Sequence, residues 1–239
     1  MHDHSDPTSG PRGLPDADAA DRVDAPPLAH THHAACAAAY VRGVLGLPAD
    51  DVRDVRALAA AHDLRLHPFK RTRGLPRVEK MLGILQGLRP DALLDVGTGG
   101  GVFLWPLLER FPDLRVHAVD RLERRIDRIG AVARGGFPRL TAAVGDVAAL
   151  DVPDRAFTVV TALEVLEHVP DVQRAVAEVV RVASRWVLIS VPAHADQNPE
   201  HLHLLTRPRL TELVRAAGAG RIQFEGVRGH LLAVVHKES

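Results

Sequence analysis

The stretch Leu94-Asp95-Val96-Gly97-Thr98-Gly99-Gly100-Gly101 is the densest chemical signal in this sequence. A short apolar run feeds into glycines and then an amphipathic segment, which predicts a strand, a sharp bend and a helix. Residues without a Cβ let the main chain turn tightly, and a ligand can then lie against bare backbone where the helix begins. A dinucleotide fingerprint would require glycine at its sixth position, but counting from Gly97 puts Val102 there. Asp95 would repel a pyrophosphate and suits a cation instead. A second loaded stretch is Glu164-Val165-Leu166-Glu167-His168. If it is helical from its start, Glu164, Glu167 and His168 share one face and form half of a divalent-cation site. His201 and His203 follow in the run from Asn198 to Arg207. Plainer readings compete: the glycines as a tight turn, Asp120 and Asp146 as helix caps, Glu167 and His168 as a surface pair.

The elements that must position these residues are legible from periodicity. From Leu93 onward, short apolar runs alternate with amphipathic stretches, the pattern of a parallel sheet flanked by helices. Strands are expected over 93–96, 116–119, 140–144, 157–162 and 186–191, with helices over 102–110, through Leu122 to Ile129, through Val172 to Val180, and over 210–217. Two further apolar runs, 221–227 and 231–236, are separated only by Arg228-Gly229-His230, short enough for an antiparallel hairpin. The expected fold is a three-layer α/β/α Rossmann-like domain whose mostly parallel, seven-stranded sheet ends in a reversed strand. Ahead of it, helices are expected from Ala34, from about Ala49 with Pro48 in its first turn, and over Leu75 to Leu88. From Met1 to about Pro27 the chain has almost no large apolar residue and cannot offset ordering entropy. The expected division is a disordered tail (1–33), a helical cap (34–74) and the α/β domain (75–239). His2, His4, His30, His32 and His33 read as solvated histidines of the tail.

The region from about Leu75 to the carboxy terminus resembles the class I S-adenosylmethionine-dependent methyltransferases. The likeness rests on several motifs in order. Asp95, Gly97, Gly99 and Gly101 match the first, which in that family serves the methionine end of the cofactor. By the resemblance, Asp120 would accept both ribose hydroxyls, and Gly145-Asp146-Val147 would face the adenine. Glu164, after the fourth strand, would stand where the transferable methyl meets its acceptor. The Glu-x-x-Glu-His pattern is similar to one in many small-molecule methyltransferases, and also to that of small-RNA 2′-O-methyltransferases, where it binds a divalent ion. That second likeness would make Glu164, Glu167, His168 and His201 metal ligands, although His203 departs from the aromatic expected there. Without a metal, His168 or His201 would be the proton acceptor, with Glu164 beside it.

The expected activity is therefore methyl transfer from S-adenosylmethionine to oxygen on a small molecule. A metal-dependent RNA ribose 2′-O-methyltransferase and a non-catalytic S-adenosylmethionine-binding protein are the alternatives. The basic run from Lys70 to Arg77 would serve the RNA reading, but is more simply a solvated surface.

Composition agrees. The 239 residues are 46% hydrophobic and 25% charged, ordinary globular values that exclude a collagen-like or coiled-coil chain. Thirty basic against 30 acidic residues give no net field to steer the chain onto nucleic acid or membrane. The single cysteine, Cys36, excludes an internal disulfide and a cysteine-rich metal cluster. With no apolar run near 20 residues and no secretion-type amino terminus, a cytoplasmic protein that does not span a membrane is expected.

Overall fold

The computed structural model describes residues 27–71, 74–195 and 197–237. Four helices come first: α1 (Leu28–Thr31), α2 (Ala34–Leu45), α3 (Val55–Ala61) and α4 (Pro76–Leu88). The alternating part follows as β1 (Ala92–Val96), α5 (Leu104–Arg110), β2 (Arg115–Asp120), α6 (Glu123–Arg134), β3 (Leu140–Val144) and β4 (Phe157–Leu163). It closes with α7 (Val172–Val182), β5 (Ala183–Pro192), α8 (Arg207–Ala216), β6 (Arg221–Val227) and β7 (His230–His236). The seven strands form one sheet in the order β3-β2-β1-β4-β5-β7-β6. β1 to β5 pair in parallel, and β7 runs antiparallel to both neighbours. The Rossmann-like expectation with a reversed hairpin strand is met.

The central strand explains why it was legible. β1 lies between β2 and β4 with helices on both faces, so all five of its residues are buried and it reads as an unbroken apolar run. Leu94 and Val96 join the core under α7 and α8, while Leu93 joins the core under α4, α5 and α6. β6, at the sheet edge, alternates half-buried and exposed positions instead. Helix α7 buries Val172, Ala175, Val176, Val179 and Val180, one stripe at helical spacing. Parallel crossovers bring the ends of β1, β2, β4 and β5 to one rim. Antiparallel pairing sets His230 opposite Pro192, so β7 starts at that rim as well.

The amino-terminal segment departs from expectation. Residues 1–26 of the expected tail lie outside the described residues, but residues 28–33 belong to the folded body. His32 and His33 are buried, and His33 Nδ1 lies 2.9 Å from Glu109 Oε2 on α5. Helix α2 does not hang over the rim as a cap. It crosses α6 so closely that a Cβ on Gly43 would come within 1.8 Å of the Ala131 carbonyl oxygen, and one on Gly135 within 1.8 Å of that of Ala39. Cys36, Ala37 and Ala39 consequently share the core of the sheet domain. Pro48 is not in a first helical turn: α3 starts later, at Val55, where Asp54 accepts the Arg56 and Ala57 N–H groups. Val52 is exposed. No helix among the described residues is long and apolar enough to cross a membrane.

Candidate functional site

At the end of β1 the chain reverses through Gly97, Gly99 and Gly101, with φ of 69°, 62° and 87°. Only glycine adopts such angles without penalty. The three are not equivalent. A Cβ on Gly97 would lie 2.4 Å from Val165 Cγ2, and one on Gly101 would lie 2.1 Å from Trp105 Cε2. A Cβ on Gly100 would meet nothing within 4 Å. Gly97 and Gly101 are thus needed for packing, whereas Gly99 and Gly100 present bare backbone to a cavity of about 180 Å³. Gly101 is not among its lining residues, so its place in the motif comes from the Trp105 contact. Helix α5 begins at Leu104, two residues later than expected, because the Gly101 turn continues through Val102 and Phe103.

Asp95 lines the same cavity and is 2% exposed. Its Oδ1 accepts from the Thr161 hydroxyl at 2.7 Å, while Oδ2 has no hydrogen-bond partner among the described residues. Burial pushes its pKa up to about 6, and the Thr161 hydrogen bond only partly opposes this. A buried, incompletely bonded carboxylate beside bare glycine backbone fits a cationic group such as an amino-acid ammonium.

Asp120 ends β2 with its carboxylate beneath the glycine loop. Oδ2 accepts from Gly99 N at 2.8 Å, Oδ1 accepts from Leu122 N at 2.9 Å, and Arg125 Nη1 donates to Oδ2 at 3.1 Å. Gly145 N donates to the Asp120 carbonyl at 3.1 Å, joining the loop after β3 to the same place. Asp146 is exposed, with Oδ1 accepting from Ala148 N at 2.8 Å, and Val147 is buried in the core beside Leu150.

The acidic stretch after β4 separates into two groups. Glu164 takes a left-handed conformation, φ 58°, and a one-turn 3-10 helix covers only Leu166–His168. The expected single helical face therefore does not exist, and Glu164 points away from the other two. Its Oε1 accepts from the Ser190 hydroxyl, its Oε2 lies 3.1 Å from His230 Nε2, and Arg77 Nε stands 4.0 Å from Oε1. Glu164, Ser190 and Arg77 all line the cavity with Asp95 and the glycines.

Glu167, His168 and His201 form the second group, with ligand atoms all within 4.8 Å of one another. Glu167 is 1% exposed, and the imidazoles of His168 and His201 meet edge to face at 4.8 Å between centroids. His168 Nδ1 lies 2.9 Å from the Glu200 carbonyl oxygen. His203 Nε2 lies 2.9 Å from the Val169 carbonyl oxygen and ties the 198–205 segment down. None of His168, His201 and Glu167 lines the cavity with Asp95 and Glu164.

Three residues of the rim escaped sequence reasoning. Ser190 was hidden in an apolar strand, where a lone hydroxyl, here fully buried, is the available signal. His230 was read as part of a turn. Arg77 sat in the basic run, which the fold divides: Arg71 pairs with Glu109 at 2.9 Å, and Arg77 faces the site.

A doubly wound sheet with a glycine bend at the end of β1 and acids ending β1 and β2 defines a Rossmann-like domain. Residues 93–185 match a family model described as a methyltransferase domain. The matched stretch runs from β1 to the start of β5, and over it the chain is similar to S-adenosylmethionine-dependent methyltransferases. It is 34% identical over 89 residues to a ubiquinone biosynthesis O-methyltransferase from Rickettsia conorii, covering 37% of this chain and 30% of that protein. It is 24% identical over 133 residues to ajmaline N-methyltransferase from Rauvolfia serpentina, covering 55% and 45%. The matches thus span less than half the length of either relative. A S-adenosylmethionine-dependent methyltransferase from Aquifex aeolicus shares the fold, with TM-score 0.55 and 16% identity over 70% of this chain and 100% of that one.

Proposed function

We propose that this protein transfers a methyl group from S-adenosylmethionine to an oxygen atom of a small molecule. Asp95 and the backbone of Gly97 to Gly100 would hold the methionine end of the cofactor, Asp120 the ribose, and Asp146 and Val147 the adenine. The bound cofactor supplies an electrophilic methyl on a sulfonium, so the protein's share is alignment and removal of a proton.

Glu164 is the observation that carries this reading. A carboxylate held in a costly backbone conformation, by a buried serine and a histidine, at the mouth of the glycine cavity is over-determined in position. There it can accept the proton that an acceptor hydroxyl gives up as its oxygen bonds to carbon. The names of the two relatives include one O- and one N-methyltransferase, and a carboxylate base favours the oxygen acceptor, which must lose its proton. Glu164→Gln keeps the shape and removes the base. S-adenosylhomocysteine affinity should stay within about threefold of the parent, while methyl incorporation into a phenol panel from labelled S-adenosylmethionine should fall about 100-fold or more. Full activity in this variant would refute the role.

A second reading, metal-dependent methylation of an RNA ribose, is favoured by Glu167, His168 and His201 converging within 4.8 Å. Two imidazoles and a carboxylate suit a divalent transition ion, which would orient and acidify adjacent hydroxyls. In that case chelation should abolish methylation of a 3′-terminal RNA, and added manganese should restore it. RNA methylation indifferent to chelator, or absent with every divalent ion, would exclude it.

A further inference from the structure

His230 also borders a second cavity, of about 310 Å³, between the end of β5, the β6–β7 turn and the start of α8. Among the described residues, the charged and titratable side chains lining it are His194, Arg207 and His230, with no aspartate or glutamate. Arg207 pairs with no carboxylate among the described residues, and its guanidinium stands 5.6 Å over the Phe224 ring, which holds it in place. The remaining wall is apolar at Val227 and Leu231. At Gly226 and Gly229 it is bare backbone, where a Cβ would meet nothing within 4 Å. The His230 Nε2 reaches Glu164 at 3.1 Å, so one imidazole lines this cavity and touches a residue that lines the first.

We propose that this second cavity binds an oxyanion of the methyl acceptor, a carboxylate or a phosphate monoester, on Arg207 and His194. The proposal rests on the methyltransferase reading and adds a substrate class to it. A guanidinium fork matches two oxygens of either anion, and a neighbouring imidazole supplies a further donor. The apolar wall and open glycines leave room for a flat or aliphatic body between the anion and the nucleophile. With the anion fixed there, the body of the acceptor runs past His230, and its hydroxyl faces Glu164. Cationic acceptors are disfavoured by the same lining.

The test is calorimetric titration of the full chain, loaded with S-adenosylhomocysteine, by 4-hydroxybenzoate, phenyl phosphate and 4-hydroxybenzamide. At least one of the two anions should bind about tenfold or more tightly than the neutral amide, and the better anion identifies the group. Arg207→Gln, an exposed position, should erase that margin and leave S-adenosylhomocysteine affinity intact. Gly226→Val, which fills open space, should exclude the anion and the amide alike. Equal binding of acid and amide, persistence of the preference in Arg207→Gln, or binding of neither anion would overturn the proposal. If S-adenosylhomocysteine itself fails to bind, the methyltransferase reading falls first, and the same titrations on the bare chain decide the cavity separately.

Discussion

Replacing Gly97 by alanine is expected to lower stability by about 3 kcal/mol and to weaken S-adenosylhomocysteine binding at least about tenfold. The added methyl meets two penalties at once. At φ 69° a Cβ strains the local backbone. In the same position it lies 2.4 Å from Val165 Cγ2, 3.0 Å from Cγ1 and 3.3 Å from Cβ. A β-branched side chain offers no flexible end to swing aside, so the loop or the turn after β4 must move, and Glu164 precedes Val165 directly. Gly100→Ala is the control, because its Cβ would meet nothing within 4 Å and stability should barely change. Adding Val165→Ala to Gly97→Ala should recover part of the lost stability by removing the two nearest atoms. Thermal unfolding of the four proteins measures this. A wild-type melting temperature and affinity for Gly97→Ala would show that the bend does not depend on that contact.

Asp95 should make cofactor affinity depend on pH in an unusual window. Its folded-state pKa is raised by burial to about 6, from an ordinary 3.8, so below about pH 6 the free protein holds the neutral acid. The sign follows from linkage. The stability this group contributes is complete below its unfolded value near 3.8 and is lost as pH rises through about 6. An ammonium bound against Asp95 favours the ionised form instead. Affinity for S-adenosylhomocysteine should therefore climb by up to about tenfold per pH unit below pH 6 and level off above it. Asp95→Asn should bind about 10 to 100 times more weakly at pH 7, and this pH dependence should vanish. Calorimetry between pH 5 and pH 7 checks both. An affinity in the native protein that is flat across that range would place the cofactor's cation away from Asp95.

The glycine bend and the acids around it were legible because their chemistry is local. A strand that runs into Gly97 and Gly99 must turn, and an acid two residues earlier must lie at the strand's end, whatever packs around it. The same holds for α7 and the hairpin, whose burial periods are written in consecutive residues. Glu164, by contrast, was misjudged. Its spacing to Glu167 and His168 suggested one helical face, but Ser190, His230 and Arg77, each distant in sequence, hold it on the other side of the turn. The docking of α2 was likewise not legible: it is an ordinary alanine-rich helix until Gly43 and Gly135 allow two backbones to touch.

The amino-acid sequence by itself determined the sheet, the reversed hairpin strand and the glycine bend, since each follows from periodicity or from backbone angles within a few residues. Only the tertiary structure decided which side chains share the rim: it set Glu164 with Ser190 and His230, set Glu167 with His168 and His201, and opened the Arg207 cavity. These groupings depend on long-range strand pairing and on a left-handed Glu164, and contacts between residues far apart in the chain leave no spacing to read.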